Sequence, residues 1–274
     1  GRRRMKFTEM LQQRWDKNNT LLCVGLDPDL KRFPDKFASC RHPYLDFCWE
    51  IVQATADTVC AFKPQIAYFA SVGAEDQLTE LIRRIHSEFS GIPVILDAKR
   101  GDIGSTAKHY AKEAFERFGA DCVTLSPYMG RDSVEPYLEY EDKGAFILCR
   151  TSNKGGDDLQ MLDCGGKPLY HVVAEKVAEW NTTGQLGLVI GATYPNELKS
   201  VRAITPELNF LVPGIGAQGG DVNASVKSGM NAEKTGMIIN SSRAILYASQ
   251  GDDFAQKARF AALRTRDEIN KARG

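Results

Sequence analysis

Four charged residues with the chemistry of a proton-transfer site follow apolar segments of the chain. The motif DAKRGD at 97–102 comes directly after the largely apolar segment 92–96, and Lys63 ends an earlier apolar run. Strand alternation places Asp97 and Lys99 on one face, and burying such charges is costly unless they pair. A lysine held between carboxylates stays protonated, so Lys99 is predicted to be a general acid among Lys63, Asp97 and Asp102.

A glycine-rich segment gives the second chemical signal. The sequence PGIGAQGGD at 213–221 ends an apolar run, and its glycines let several backbone N–H groups approach an anion. Asp221 is predicted to cap the next helix, whose N-terminus favours phosphate. Arg243 follows a later apolar run, 237–240, and is placed for a forked contact with the same anion. The two segments together predict a phosphate site.

These side chains need a scaffold that brings the ends of distant strands together. Eight apolar segments, interpreted as strands covered on both faces, lie at 21–26, 61–67, 92–98, 122–126, 145–149, 186–192, 210–215 and 237–240. Helices are predicted between or after them at 78–89, 105–118, 172–180 and 252–272. The alternation predicts an α/β fold, a single (β/α)8 TIM barrel with its site at the strand ends. An open doubly wound sheet is the alternative.

Composition excludes several classes of protein. The chain of 274 residues is 43% hydrophobic and carries 35 basic and 35 acidic residues, so it is not disordered, and no net charge favours nucleic acid or a membrane surface. It lacks the apolar run of about 18 residues that a transmembrane helix needs. The seven cysteines form no metal-binding motif, so we expect reduced thiols, a cytoplasmic location and no metal. Residues 1–4 are expected to be an expression remnant, and 5–274 to form one barrel domain.

The motifs together resemble those of the orotidine 5'-monophosphate decarboxylases over nearly the whole chain. The resemblance rests on DAKRGDIG at 97–104 and PGIGAQGGD at 213–221, supported by LDPD at 26–29, FKP at 62–64 and SR at 242–243. TLSPYMG at 124–130, RTSN at 150–153 and GATYP at 191–195 resemble the longer bacterial branch, the type 2 subfamily. The resemblance implies a cofactor-independent homodimer that converts orotidine 5'-monophosphate to uridine 5'-monophosphate and CO2, the last step of UMP biosynthesis.

The resemblance also implies roles for individual residues. Lys99 would donate a proton to C6 of the pyrimidine, Asp97 would lie against the departing carboxylate, and Lys63 would orient Asp97 and reach the ribose. Asp102, Ile103 and Thr106 would enter the site of the partner subunit. The remaining substrate contacts would be Asp27 to the ribose, Ser152 to the pyrimidine amide, Pro213 beside the substrate, and Gln218, Gly219, Ser242 and Arg243 to the phosphate. The family often has glycine where this chain has Ser242.

Two alternative functions stay open at this point. Other barrels with a DxKxxD motif decarboxylate keto-sugar phosphates or act as hexulose-phosphate aldolases, and they stabilise an enediolate with Mg2+. A non-catalytic protein that binds a phosphate ligand on the same fold is the second alternative, although binding alone does not need all four charged residues. Activity that survives a chelator and is lost in Lys99→Ala would favour the decarboxylase hypothesis.

Overall fold

A computed structural model describes residues 3–215 and 221–274 of the chain, and its sheet closes into a barrel. The strands are β1 (Leu22–Leu26), β2 (Ala61–Pro64), β3 (Ile95–Arg100), β4 (Cys122–Leu125), β5 (Gly144–Arg150), β6 (Leu186–Ile190), β7 (Phe210–Val212) and β8 (Met237–Ser241). All pairings are parallel, in the order β2-β1-β8-β7-β6-β5-β4-β3. Two further parallel bridges, Phe62 to Val94 and Gln65 to Asp97, join β2 to β3. The predicted eight-stranded barrel is confirmed, and the open sheet is excluded.

Helices alternate with these strands. They are α1 (Phe7–Lys17), α2 (Pro43–Thr55), α3 (Ile66–Ala70), α4 (Glu75–Glu88), α5 (Gly104–Lys112), α6 (Glu135–Leu138), α7 (Asp157–Gln160), α8 (Leu169–Trp180), α9 (Pro195–Ile204), α10 (Val222–Gly229), α11 (Arg243–Leu246) and α12 (Phe254–Arg273). Short 3-10 turns lie at Leu30–Arg32, Asp35–Ser39, Ala56–Thr58, Arg131–Ser133 and Lys154–Gly156, and a π-helical turn at Glu113–Arg117 continues α5. Among the described residues, no helix has the length and apolarity required to cross a membrane.

Several predicted element boundaries differ from the structure by a few residues, and two of these differences have an identifiable local cause. The segment 61–67 was expected to be strand throughout, but β2 ends at Pro64 and α3 begins at Ile66. The Gln65 side chain caps α3 by accepting a hydrogen bond from the Ala67 N–H at 3.4 Å. The predicted helix 105–118 also divides, because α5 ends at Lys112 and a wider π-helical turn follows it. Neither change alters the barrel order.

The amino end of the barrel is filled by side chains, which leaves the carboxyl end for a site. Phe7 of α1 packs edge-on against Phe146 of β5, with ring centroids 6.1 Å apart. A Cβ on Gly144, the first residue of β5, would lie 2.5 Å from the Phe7 ring, so this close packing requires glycine. Leu11 and Trp15 of the same helix are also buried.

A buried arginine joins the segments that lead into β7 and β8. Arg202 donates hydrogen bonds to the backbone carbonyls of Leu208 at 2.6 Å, Gly229 at 2.8 Å and Gly236 at 3.0 Å. Its guanidinium carbon lies 3.7 Å from the Phe210 ring centroid. Burial lowers the pKa of Arg202 to about 10. Arg202 therefore holds together the amino ends of two strands whose carboxyl ends face the site.

Candidate active site

Three of the four predicted catalytic residues meet at the carboxyl ends of β2 and β3. The Lys63 ammonium donates to Asp97 Oδ2 at 2.8 Å, and the Lys99 ammonium donates to Oδ1 at 2.7 Å. Lys63 and Asp97 are each 5% exposed, whereas 45% of the Lys99 side chain is exposed. One buried carboxylate thus holds two ammonium groups, one buried and one open to the barrel mouth.

Electrostatics keep the buried pair ionised. Burial by itself raises the pKa of Asp97, but Lys63 and Lys99 outweigh it and hold that pKa well below its usual range. Burial by itself lowers the pKa of Lys63, but Asp97 and Asp27 outweigh it and raise the pKa. For Asp27 burial dominates, so its pKa is raised despite the nearby charge of Lys63. Asp27 Oδ1 is buried and has no hydrogen-bond partner among the described residues.

A bulge in β3 directs Lys99 toward this carboxylate. Leu96 pairs with Val123 and Arg100 pairs with Leu125, so four residue steps on β3 face two steps on β4. Lys99 lies within the bulge and has a left-handed backbone, with φ of 49°. Bulges re-aim side chains beside active sites. The predicted convergence is therefore present, but simple strand alternation is not its cause.

A cavity of about 330 Å³ opens onto the charged cluster. Five of its lining residues were predicted as site residues: Lys63, Asp97, Lys99, Ser152 and Pro213. Six were not: Thr124, Leu148, Thr151, Asn153, Val189 and Leu211. The aliphatic ones give no sequence signal, because a residue facing a barrel cavity has the same character as one in the core. Thr124 could have been found, since it is the only polar residue of β4.

The loop after β5, which carries Ser152, is fixed by two ion pairs of the buried Arg150. Arg150 is 4% exposed, and it contacts Asp157 at 2.6 Å and Glu197 at 2.8 Å. Backbone from β6 packs against Ser152, because a Cβ on Gly191 would lie 2.9 Å from the Ser152 Cβ. These contacts set the Ser152 side chain at the cavity wall.

The predicted ribose and phosphate residues after β1 and β8 lie beside each other. A Cβ on Gly25 would overlap the Ser242 hydroxyl, so any other residue at this position would force the Ser242 side chain to move. Asn240 donates to that hydroxyl at 3.2 Å. Arg243 begins α11 and is exposed, while Asp27 is half-buried. None of Asp27, Ser242 and Arg243 is among the residues that line the cavity described above.

The glycine-rich segment is described only at its two ends. Pro213 lines the cavity, and Asp221 Oδ1 accepts a hydrogen bond from the Ala224 N–H at 3.1 Å. The predicted cap of α10 by Asp221 is thereby confirmed. Gln218 and Gly219 lie outside the described residues, so their phosphate contacts stay predictions.

Asp102, Ile103 and Thr106 do not reach the Lys99 ammonium of their own chain. Asp102 Oδ1 accepts a hydrogen bond from the Ile103 N–H at 2.8 Å, and it does not line the cavity. Ile103 is 50% exposed, and Thr106 on α5 is also exposed. Their predicted entry into a partner subunit's site stays a prediction.

The cysteines are all free thiols, and most are buried as expected. Burial raises the pKa of the Cys23 thiol on β1 to about 12, although the nearby charge of Lys63 opposes this shift. In the part of the chain that the structure describes, no three His, Cys, Asp or Glu side chains cluster as a metal site would require.

Comparison with known proteins assigns the family. The family model described as "Orotidine 5'-phosphate decarboxylase / HUMPS family" matches residues 20–258, which includes all eight strands. The chain belongs to this family. The resemblance drawn from the DAKRGDIG and PGIGAQGGD motifs is thus confirmed, although no comparison tests the type 2 subfamily.

Individual members of the orotidine 5'-phosphate decarboxylase family match nearly the whole of this chain. The chain is 61% identical to orotidine 5'-phosphate decarboxylase of Ralstonia pickettii over 270 residues, covering 98% of this chain and 100% of the relative. The solved structure of Leishmania donovani OMP decarboxylase is 43% identical with a TM-score of 0.86, covering 98% of this chain and 99% of that one. Leishmania donovani UMP synthase matches at 44% identity and a TM-score of 0.88, covering 98% of this chain but 57% of that longer chain.

Proposed function

We propose that this protein is a carboxy-lyase that converts orotidine 5'-monophosphate to uridine 5'-monophosphate and CO2, the final step of UMP biosynthesis. The observation that carries the proposal is the Lys99 ammonium. It stands open to the cavity and is held 2.7 Å from a buried, ionised carboxylate. The match to a relative of that name, at 61% identity over 98% of this chain and 100% of the relative, supports the same reaction.

The chemistry requires an environment that favours an anion on the pyrimidine ring over the substrate carboxylate. When the bond between C6 and the carboxyl carbon breaks, its electron pair stays in an sp2 orbital at C6, which the ring stabilises poorly. The Lys99 ammonium stabilises this charge and then transfers its proton to C6. Asp97 lies against the departing carboxylate, and Lys63 fixes the Asp97 orientation through its 2.8 Å contact.

Contacts remote from C6 supply binding energy for the reaction. We assign Arg243, Ser242, Gln218 and Gly219 to the phosphate, Asp27 to the ribose, and Ser152 with Pro213 to the pyrimidine. Asp27 Oδ1 is buried and has no hydrogen-bond partner in the described part of the chain, which supports the ribose assignment, since a ribose hydroxyl would satisfy that acceptor. Remote contacts of this kind lower the barrier when they orient the ring at the reacting centre.

The working enzyme is proposed to be a cytoplasmic homodimer that needs no cofactor. Among residues 3–215 and 221–274, the one carboxylate that Lys99 contacts is Asp97, and exposed Ile103 with neighbouring Asp102 is placed to enter a second copy's site. Mixing inactive Lys99→Ala and Asp102→Ala proteins should restore partial activity through mixed dimers. Free, mostly buried thiols are consistent with a reducing compartment.

Coordination of Mg2+ by the same cluster is disfavoured by its charges. Both oxygens of Asp97 already accept hydrogen bonds from ammonium groups. A divalent cation at Asp97 would face two positive charges within a few ångströms, and a low-dielectric site strengthens that repulsion. The arrangement therefore fits an anionic substrate better than the metal-assisted sugar-phosphate reactions of related barrels.

The test is a spectrophotometric assay of orotidine 5'-monophosphate in the presence of a chelator. Wild-type protein and Lys199→Ala, a matched loss of an exposed lysine on α9, should be equally active. Lys99→Ala should lose activity by several orders of magnitude while still binding uridine 5'-monophosphate. Binding without turnover by wild type would indicate a phosphate-ligand-binding protein, and activity only with Mg2+ on a keto-sugar phosphate would indicate the other alternative.

A further inference from the structure

We propose that Thr124 is a positioning residue that builds the β3 bulge and thereby sets the relative placement of Asp97 and Lys99. The catalytic consequence rests on the proposed decarboxylase function, whereas the structural consequence does not. Thr124 lies on β4, is 1% exposed and occupies the cavity wall behind the charged cluster.

The Thr124 hydroxyl replaces the hydrogen bonds that the bulge removes from the sheet. The N–H groups of Ala98 and Lys99 both donate to Thr124 Oγ1, each at 3.0 Å. These two amides lie in the part of β3 whose register with β4 is broken. Partly buried amides without partners are unfavourable, so the Thr124 side chain takes the place of the β4 backbone carbonyls as their acceptor.

The same hydroxyl also fixes the carboxylate. Thr124 donates its proton to Asp97 Oδ1 at 2.8 Å, the oxygen that also accepts from the Lys99 ammonium. A hydroxyl has one proton to donate and two lone pairs to accept, so its whole capacity is used. Thr124 Oγ1 therefore links the backbone of Lys99, the proposed proton donor, to the orientation of the Asp97 carboxylate.

This arrangement explains how Lys99 is held in a left-handed conformation. A non-glycine residue at φ of 49° is unfavourable unless surrounding contacts impose it. The backbone N–H of Lys99 itself donates to Thr124 Oγ1, so this hydrogen bond acts directly on the strained residue. Without the hydroxyl, the hydrogen bonds that stabilise the β3 bulge would be lost, and the Lys99 ammonium would shift relative to Asp97.

Three variants separate the hydroxyl from the shape of the side chain. Thr124→Val keeps the shape and removes the hydroxyl, Thr124→Ser keeps the hydroxyl, and Thr124→Cys places a weak acceptor at the same position. For Val and Cys we expect kcat to fall by about 100-fold, the scale of a misplaced reacting group, with the affinity for uridine 5'-monophosphate changed less than about threefold. Thr124→Ser should retain most of the wild-type kcat.

Hydrogen exchange of the Ala98 and Lys99 amides gives a second readout that needs no activity. Both amides should be protected in wild type and Thr124→Ser, and should exchange faster in Thr124→Val or Thr124→Cys. Equal exchange in all proteins, or equal kcat in the Ser and Cys variants, would overturn the proposal. Should Thr124→Val fail to fold, the Ser and Cys pair decides. A wild-type protein that does not decarboxylate would contradict only the proposed function, because the exchange comparison still tests Thr124.

Discussion

Replacing Lys63 with methionine tests whether the buried ion pair is as strongly coupled as its geometry indicates. The change keeps most of the side-chain volume and removes the ammonium that lies 2.8 Å from Asp97 Oδ2. The Lys63 and Asp97 side chains are 6% and 7% exposed, so solvent screens their interaction little. The variant therefore leaves a buried carboxylate with one of its two cations missing.

The expected loss of stability follows from these contacts. Removing one partner of a buried pair costs about 3–5 kcal/mol, because the other charge stays buried without compensation. Lys99 and Thr124 still contact Oδ1 of Asp97, which limits the effect. We expect the free energy of unfolding at neutral pH to fall by about 3 kcal/mol, at the lower end of that range.

The loss should depend on pH in a defined direction. In the wild type the folded pKa of Asp97 is below its unfolded value of about 4, so its stabilisation is present above that value and is lost as pH falls through the folded pKa. In Lys63→Met, burial is opposed by one cation fewer, and the folded pKa of Asp97 rises. The difference in stability between wild type and variant should therefore be largest near pH 7 and should narrow toward pH 4.

Urea denaturation of Lys63→Met at pH 7.5 and 4.5 measures both effects. Lys143→Met is a matched control, because Lys143 is 8% exposed but lies 3.9 Å from each of Asp121 and Asp142. The free energy of unfolding should fall by less in Lys143→Met than in Lys63→Met, and this decrease should differ less between the two pH values. Adding Asp97→Asn to Lys63→Met should recover stability, since it removes the uncompensated charge. The reasoning would be refuted if Lys63→Met lost no more unfolding free energy than Lys143→Met, or if it lost the same amount at both pH values.

Three further variants test other parts of the molecule. Arg243→Ala should lower kcat/KM for orotidine 5'-monophosphate by about 100-fold through loss of a charge-assisted phosphate contact, and an unchanged value would contradict its assignment. Arg202→Met should lower the free energy of unfolding by about 3 kcal/mol, because several buried carbonyls lose their donor, while kcat in the folded fraction stays at the wild-type level. Gly25→Ala should reduce activity by forcing Ser242 to move, and adding Ser242→Gly should restore it. Activity that Gly25→Ala leaves unchanged would show that the space is not limiting.

The barrel and the meeting of Lys63 with Asp97 could be predicted from the sequence for one physical reason. Charged residues that directly follow apolar strands must lie at strand ends, and parallel strands bring those ends to one side of the sheet. A buried charge at one strand end can then pair only with the few opposite charges at the carboxyl ends of the other strands. The strand boundary at Pro64 was missed because the Gln65 cap depends on local backbone geometry that hydrophobic pattern does not encode.

The bulge at Lys99 could not be predicted from the same pattern. It depends on hydrogen bonds to Thr124, which lies 25 residues further along the chain, and a threonine in a strand is ordinary on composition alone. Asp102 shows a different limit. In the described part of its own chain, the Asp102 carboxylate accepts a hydrogen bond from the neighbouring Ile103 amide and contacts no cation, so the role proposed for it needs a second subunit.

The distribution of charge in the site explains how a chain with no net charge can favour this reaction. Asp97 balances one of the two ammonium groups that it contacts, so the cluster of Lys63, Asp97 and Lys99 carries one net positive charge, and its exposed group is the Lys99 ammonium. A substrate carboxylate placed there gains from Lys99 but approaches Asp97, so its ground state is only partly stabilised. In the proposed reaction the negative charge moves to C6 and away from Asp97 as CO2 leaves, and it keeps the attraction of Lys99. With the proposed roles of Lys99 and Asp97, the same fixed charges would bind the transition state better than the substrate, which is the condition for raising kcat.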